Sequence, residues 1–131
     1  MITILADHNI EGHAVLLWGT LSAAGWLDLL AIRLVRFAEV GLPNDSPDRG
    51  VWRFAQAHQM YILTDNRNME GDDSLEQTLR EENTVLALPV LTIGRVGRLT
   101  EQRYREACVA RLLEIVLYPE DHVGTGRLFI P

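Results

Sequence analysis

Three aspartates stand at points of the chain where chemistry is easily placed. Asp7 follows the apolar run Ile2-Thr3-Ile4-Leu5-Ala6, Asp48 follows Ser46-Pro47, and Asp65 follows Tyr61-Ile62-Leu63-Thr64. Carboxylates brought together from distant segments offer hard oxygen ligands, which suit Mg²⁺ or Mn²⁺. An ion held in this way activates water and stabilises the leaving oxygen in phosphodiester hydrolysis. Asn66 and Asn68 lie on the same stretch as Asp65 and are expected to orient water or phosphate. Asp73, with Asp72 beside it, is a fourth candidate ligand, and Glu11 and Glu39 are further acids within reach. Three carboxylates are taken as the smallest set that holds a catalytic ion comfortably.

Each of these residues also has a plainer reading. An acid at Asp48 suits the positive end of a helix dipole. Asp65-Asn66 fits ordinary turn chemistry, Asp73 can cap a helix, and Asp45 is a loop or cap residue. His8 is the one histidine near the acids and is assigned a solvent-facing or hydrogen-bonding role. The joint argument is stronger than its parts, because separate elements would have to deliver the three acids to one place.

Those elements can be read from pattern. Met1–Ala6, Leu29–Phe37, Met60–Leu63, Leu88–Ile93 and Arg127–Ile130 are apolar or β-branched runs and predict strands. Glu11–Trp26 carries Val15, Leu16, Trp18, Leu21 and Ala24 at helical spacing, with Gly25 as a stop. A loop is expected over 38–45. Ser46-Pro47-Asp48 reads as a helix start with Ser46 as cap and Pro47 in the first turn, running to about Gln59. Asp73-Ser74-Leu75-Glu76 reads as a variant capping box opening a helix to about Glu82. The longest helix is expected from Thr100 to about Leu117. Strands alternate with helices throughout. That order predicts one α/β domain over residues 1–131, a three-layer α/β/α sandwich with a mostly parallel central sheet. In such sheets the site lies at the carboxyl ends of the strands, where Asp7 and Asp65 fall.

Composition narrows the chemistry further. The 131 residues carry twelve cations, all of them arginine, against eighteen acids, for a net charge of −6. Without lysine there is no P-loop and no Schiff base, and receiver or haloacid-dehalogenase chemistry loses its cation. A negative chain repels polyanions, unless its carboxylates hold metal ions that reverse the local field. Gly94-Arg95-Val96-Gly97-Arg98, followed by Arg103 and Arg105, is the one local arginine concentration. It is expected to be a flexible loop in which Arg95 and Arg98 grip substrate phosphates. A lone Cys108 excludes disulfides and is expected to be a small buried hydrophobe. Trp18, Trp26, Trp52, Phe54 and Tyr61 are expected to serve packing. The beginning of the chain has no basic segment with a cleavage site, and no apolar run approaches membrane-spanning length, so a cytoplasmic protein is expected.

Three stretches taken together carry a resemblance. Ile4-Leu5-Ala6-Asp7-His8-Asn9, Gly41-Leu42-Pro43-Asn44-Asp45-Ser46-Pro47-Asp48 and Ile62-Leu63-Thr64-Asp65-Asn66-Arg67-Asn68 resemble the PIN-like family, and within it small proteins related to toxin-type ribonucleases. The likeness covers a little over half of the chain. It implies that Asp7, Asp48 and Asp65 match the family's acids and that the protein cleaves RNA with Mg²⁺ or Mn²⁺. It further implies a toxin role with an antitoxin or other protein partner, and a homodimer. Asn66 and Asn68 stand where family members often carry another acid. The competing expectation is therefore a catalytically inactive PIN-like module that binds a partner. A phosphatase-like use of Asp7 as nucleophile is the weakest, since the motif's second aspartate and a lysine are both missing.

Overall fold

The computed structural model describes residues 1–67 and 70–131. Five strands, β1 (Ile2–Ala6), β2 (Ile32–Val35), β3 (Met60–Thr64), β4 (Val90–Thr92) and β5 (Arg127–Phe129), form one sheet in the order β2-β1-β3-β4-β5. Every neighbouring pair is parallel. Parallel neighbours need long crossovers, which here carry helices α1 (Glu11–Ala23), α2 (Trp26–Leu29), α3 (Phe37–Val40), α4 (Asp48–Ala57), α5 (Leu75–Glu82) and α6 (Gln102–Leu117).

Side chains alternate across a strand, so each face of the sheet builds its own core. Ile4, Ala6, Leu63 and Leu91 meet Ala14, Leu17 and Leu21 of α1 and Cys108, Leu112 and Ile115 of α6. On the opposite face Leu5, Ile62 and Val90 meet Val51, Trp52 and Ala55 of α4 and Leu75 of α5. This is the three-layer α/β/α sandwich expected from the alternation. Burial on both faces explains why β1 and β3 read as continuous apolar runs. The accessible surface is 7050 Å², against about 7,000 Å² for a folded chain of this mass.

Several boundaries differ from the sequence reading, each for a local reason. The expected strand 29–37 shrinks to Ile32–Val35, because its flanks wind into the short helices α2 and α3. Glu39 fastens α3 by accepting from the Arg36 backbone at 3.2 Å and from Arg36 Nε at 3.0 Å. Pro89 has no N–H to give, and the Leu88 backbone is bonded instead to the Gln56 amide, so β4 starts at Val90. Ser46 does not cap α4; its hydroxyl donates to the Pro43 carbonyl at 2.7 Å, and Pro47 takes the cap position. Ser74, not Asp73, caps α5 by accepting from Gln77 N–H at 3.1 Å. The segment after β4 is a 3-10 turn over Val96–Thr100, which delays α6 to Gln102.

Gly25, at φ 83°, does separate α1 from α2 as its freedom at positive φ allows. The buried stripe of α1, however, is Ala14, Leu17 and Leu21, while Val15 and Leu16 are exposed. A helix apolar all round offers no single face for periodicity to choose. Its outward side and α6 border an open apolar cleft of about 830 Å³.

Candidate active site

Strand order decides where this site lies. From β1 the chain winds outward to β2, then returns across β1 to lay down β3, β4 and β5 on the other side. The crevice between the carboxyl ends of β1 and β3 is the topological switch point of this order. Asp7 leaves β1 there with its N–H still bonded to the Leu63 carbonyl at 2.9 Å. Thr64, the last residue of β3, donates its hydroxyl to Asp7 Oδ2 at 2.7 Å. The same hydroxyl oxygen accepts the Asn66 N–H at 2.9 Å, which folds the following loop back over the crevice.

Asp48 reaches this place from the first turn of α4. Its Oδ2 accepts from Asn66 Nδ2 at 2.8 Å and from the Leu75 N–H at 3.2 Å. Asn66 is therefore the joint between the two acids, with its backbone on the Asp7 side and its amide on Asp48. Behind it lies Arg127, whose side chain is 11% exposed. Arg127 Nη1 donates to the Asn66 carbonyl and to the Thr92 hydroxyl, each at 2.7 Å, while Nε donates to Glu76 at 2.8 Å.

Asp7, Asp48, Thr64, Asn66, Ser46 and His8 are among the residues that line a cavity of about 80 Å³. That volume admits an ion with water or a phosphate oxygen. No arginine lines it among the described residues. Burial pushes the Asp7 carboxyl above its ordinary value of 3.8; the Thr64 hydrogen bond pulls the other way, and the charges of Asp48 and Asp65 add to the rise. Two carboxylates thus share a small space that no arginine lines among the described residues.

The donor set is mostly oxygen: two carboxylates, the amides of Asn9, Asn44 and Asn66, and hydroxyls, with His8 adding an imidazole whose buried Nδ1 has no hydrogen-bond partner among the described residues. It fits Mg²⁺ or Mn²⁺, which keep several waters and take only one or two protein carboxylates alongside substrate phosphate. Among the described residues no group of three histidine, cysteine, aspartate or glutamate side chains is placed to hold a metal. The geometry thus offers a carboxylate pair rather than the triad expected from sequence.

The remaining candidates fall in different places. Asp65 is half-buried beside Asp7 and acts on it through charge, but is not part of the cavity lining. Asp73 is turned away, accepting from Arg49 Nε at 3.1 Å with its side chain 64% exposed. Arg49 also holds Glu81 and Glu82, which its hydrogen bonds keep below the usual carboxylate range, with Arg53 contributing first at Glu82. Glu39 belongs to its turn with Arg36, whereas Glu11 lies 3.6 Å from His8 Nδ1 and accepts from Phe37 N–H at 3.4 Å. Asn68 is outside the described residues. Arg95 and Arg98 line a second pocket on the same edge of the sheet, with Arg67. Their segment is the ordered 3-10 turn, tied down where Arg95 N–H donates to Tyr104 Oη at 2.9 Å.

Thr64 and Arg127 escaped the sequence reading. The available cue was a threonine closing each of two adjacent buried strands, at Leu63-Thr64 and Leu91-Thr92, and a single arginine opening the last apolar run. Both threonine hydroxyls are used, one on Asp7 and the other on Arg127.

Fold and site together define an all-parallel α/β protein with a carboxylate cavity at its switch point. Compared with known proteins, the chain matches no family model, no curated protein and no solved structure.

Proposed function

We propose that the protein is a Mg²⁺- or Mn²⁺-dependent nuclease that hydrolyses phosphodiester bonds in RNA. The observation that supports this reading most is the meeting of Asp7 and Asp48, from elements far apart in the chain, in a cavity that no arginine lines among the described residues. Asp7 and Asp48 would hold the ion, with the Asn66 amide oxygen as one of the neutral donors of the lining. The bound ion supplies Lewis acidity, making hydroxide available near neutral pH and stabilising the departing oxygen. Thr64 fixes the rotamer of Asp7, and Asn66 fixes that of Asp48, so both carboxylates are aimed before substrate arrives. Asp65 adds negative charge beside the cavity and so favours cation entry. The cavity is too small for a base, so the nucleotide must lie along the sheet edge outside it.

The resemblance to PIN-like toxin-type ribonucleases agrees with this chemistry. It extends the reading to a cytoplasmic toxin restrained by an antitoxin or other protein partner, and to a homodimer. No helix among the described residues is long and apolar enough to cross a membrane. One observation favours a second reading, in which the domain binds a partner without cutting. Asp48 Oδ2 already accepts two hydrogen bonds, one of them from an asparagine where an acid is expected.

Cleavage of labelled single-stranded RNA and DNA in Mn²⁺, Mg²⁺ or EDTA, beside Asp7→Asn, decides between the two. Metal-dependent cutting of RNA that disappears in the variant upholds the nuclease. Intact RNA at high protein concentration in every metal leaves the binding module.

A further inference from the structure

The carboxyl edge of the sheet has a second opening beyond the aspartate cavity. Arg67 from the loop after β3, Arg95 from the loop after β4, Arg98, Tyr104 and Phe129 at the end of β5 border a pocket of about 330 Å³. No Asp or Glu side chain lines it among the described residues; Gly94 and Pro131 complete the wall, the Pro131 carbonyl accepting from Gly94 N–H at 3.0 Å and from the Tyr104 hydroxyl at 3.4 Å. Arg98 is already committed, paired with Glu101 at 3.2 Å and lying 4.8 Å from the centre of the Tyr104 ring. Arg67 and Arg95 have no ion-pair partner among the described residues. They are free to meet an anion.

Phe129 is 46% exposed on the edge strand, beside these cations. A Cβ at residue 94 would lie 3.7 Å from Phe129 Cδ1 and 3.2 Å from the Pro131 carbonyl oxygen, so bare Gly94 backbone supports the ring from below. An exposed aromatic face beside unpaired guanidinium groups is the chemistry that takes a base and its phosphate. Asp65, Asn66 and Arg67 are consecutive, so the arginine pocket begins where the carboxylate cavity ends. Two strand spacings, about 10 Å, separate β3 from β5.

We propose that this pocket binds the nucleotide adjoining the cleaved one, with Arg67 and Arg95 on its phosphate and its base stacked on Phe129. The substrate is then single-stranded, because bases stacked and paired in a duplex present no face to Phe129. On a chain of net charge −6, these arginines supply a local attraction for phosphate. The position given to the nucleotide rests on the nuclease reading; the binding itself does not.

The test is anisotropy of a labelled single-stranded RNA oligonucleotide in EDTA, with salt varied and cleavage measured separately. Arg67→Ala and Arg95→Ala should each flatten the slope of log K against log salt by about 0.7. Phe129→Ala should weaken binding by roughly 5- to 150-fold. Phe129→Leu, which keeps the apolar contact with Gly94, should weaken it as well, and an abasic oligonucleotide should erase the difference between wild type and Phe129→Leu. Binding that ignores all four substitutions overturns the pocket, even where the wild type cuts RNA. An acidic peptide that binds through Arg67 and Arg95 while RNA does not also overturns it. RNA binding with these sensitivities but no cleavage in any metal upholds the pocket and removes the nuclease.

Discussion

Thr64 Oγ1 donates to Asp7 Oδ2 at 2.7 Å, across the gap between β3 and β1, while receiving the Asn66 N–H at 2.9 Å. Because the oxygen is occupied as an acceptor by Asn66, its one proton is directed to Asp7. The pair ties the catalytic candidate to the loop that carries Asn66. Thr64 is 1% exposed, so its hydroxyl belongs to the interior of the fold and serves these two partners.

Thr64→Val keeps the shape and removes the hydroxyl. Both Asp7 Oδ2 and the Asn66 N–H then lose a partner, at a cost of about 1–3 kcal/mol. Urea denaturation should show this loss, and Thr64→Ser should recover most of it. If Thr64→Val unfolds at the wild-type midpoint, the hydroxyl does not hold the crevice.

Asp7 gives stability a pH dependence of known sign. Its carboxyl titrates above 3.8 in the folded protein, chiefly because burial disfavours the charge and secondarily because Asp48 and Asp65 repel it, against the opposing Thr64 bond. As pH rises through the ordinary value, the unfolded chain releases this proton first. The metal-free wild type therefore loses stability from about pH 3.8 up to the raised folded value, and the loss then stays constant. Asp7→Asn escapes it, so the variant's melting temperature should exceed wild type at pH 7, with the gap closing below pH 3.8. Added Mg²⁺ should reverse the order, stabilising wild type by about 2.7 kcal/mol at a hundredfold excess over Kd. Asp73→Asn should respond to Mg²⁺ as wild type does, since its carboxylate faces Arg49. Equal Mg²⁺ stabilisation of Asp7→Asn and wild type would remove Asp7 from the site.

Asn66→Asp replaces a donor to Asp48 with a third acid. In metal-free protein the lost hydrogen bond and new repulsion should lower stability by roughly 1–3 kcal/mol. With Mg²⁺ the same change adds a hard anionic ligand, and affinity should rise about tenfold or more. Calorimetric titration reads both quantities. Weaker Mg²⁺ binding by Asn66→Asp would mean that the asparagine amide does not face the ion.

The alternation of apolar runs made the sandwich legible, and ending strands at Asp7 and Asp65 placed both at the sheet's carboxyl edge. The order β2-β1-β3-β4-β5, which turns that edge into a crevice between the ends of β1 and β3, is not written in any local pattern. Asp48 was legible because Pro47 marks a helix start. The aim of Asp73 was not, because it is set by Arg49, 24 residues away. Ser46 and Ser74 show the same limit at the caps, where a partner three residues away set the role of each hydroxyl. Val15 and Leu16 were misplaced because α1 is apolar on every side and only α6 and the sheet select its buried face.

Arg127 carries the most demanding prediction, since it acts on the site from behind. Its guanidinium joins Glu76, the Asn66 carbonyl and the Thr92 hydroxyl, and its side chain is 11% exposed, with Glu76 at 27%. Arg127→Met leaves Glu76 without its cation and frees the loop that sets Asn66. Removing one member of such a pair costs about 3–5 kcal/mol, whereas replacing both by apolar residues is often neutral. Arg127→Met should therefore be strongly destabilised, and Arg127→Met with Glu76→Met should regain most of that loss. The Arg127 hydrogen bond to the Asn66 carbonyl is still missing in the double variant. Its Mg²⁺ affinity should remain below wild type although its fold is restored. A double variant that regains stability and wild-type Mg²⁺ affinity together would show that Arg127 supports the sheet and not the crevice.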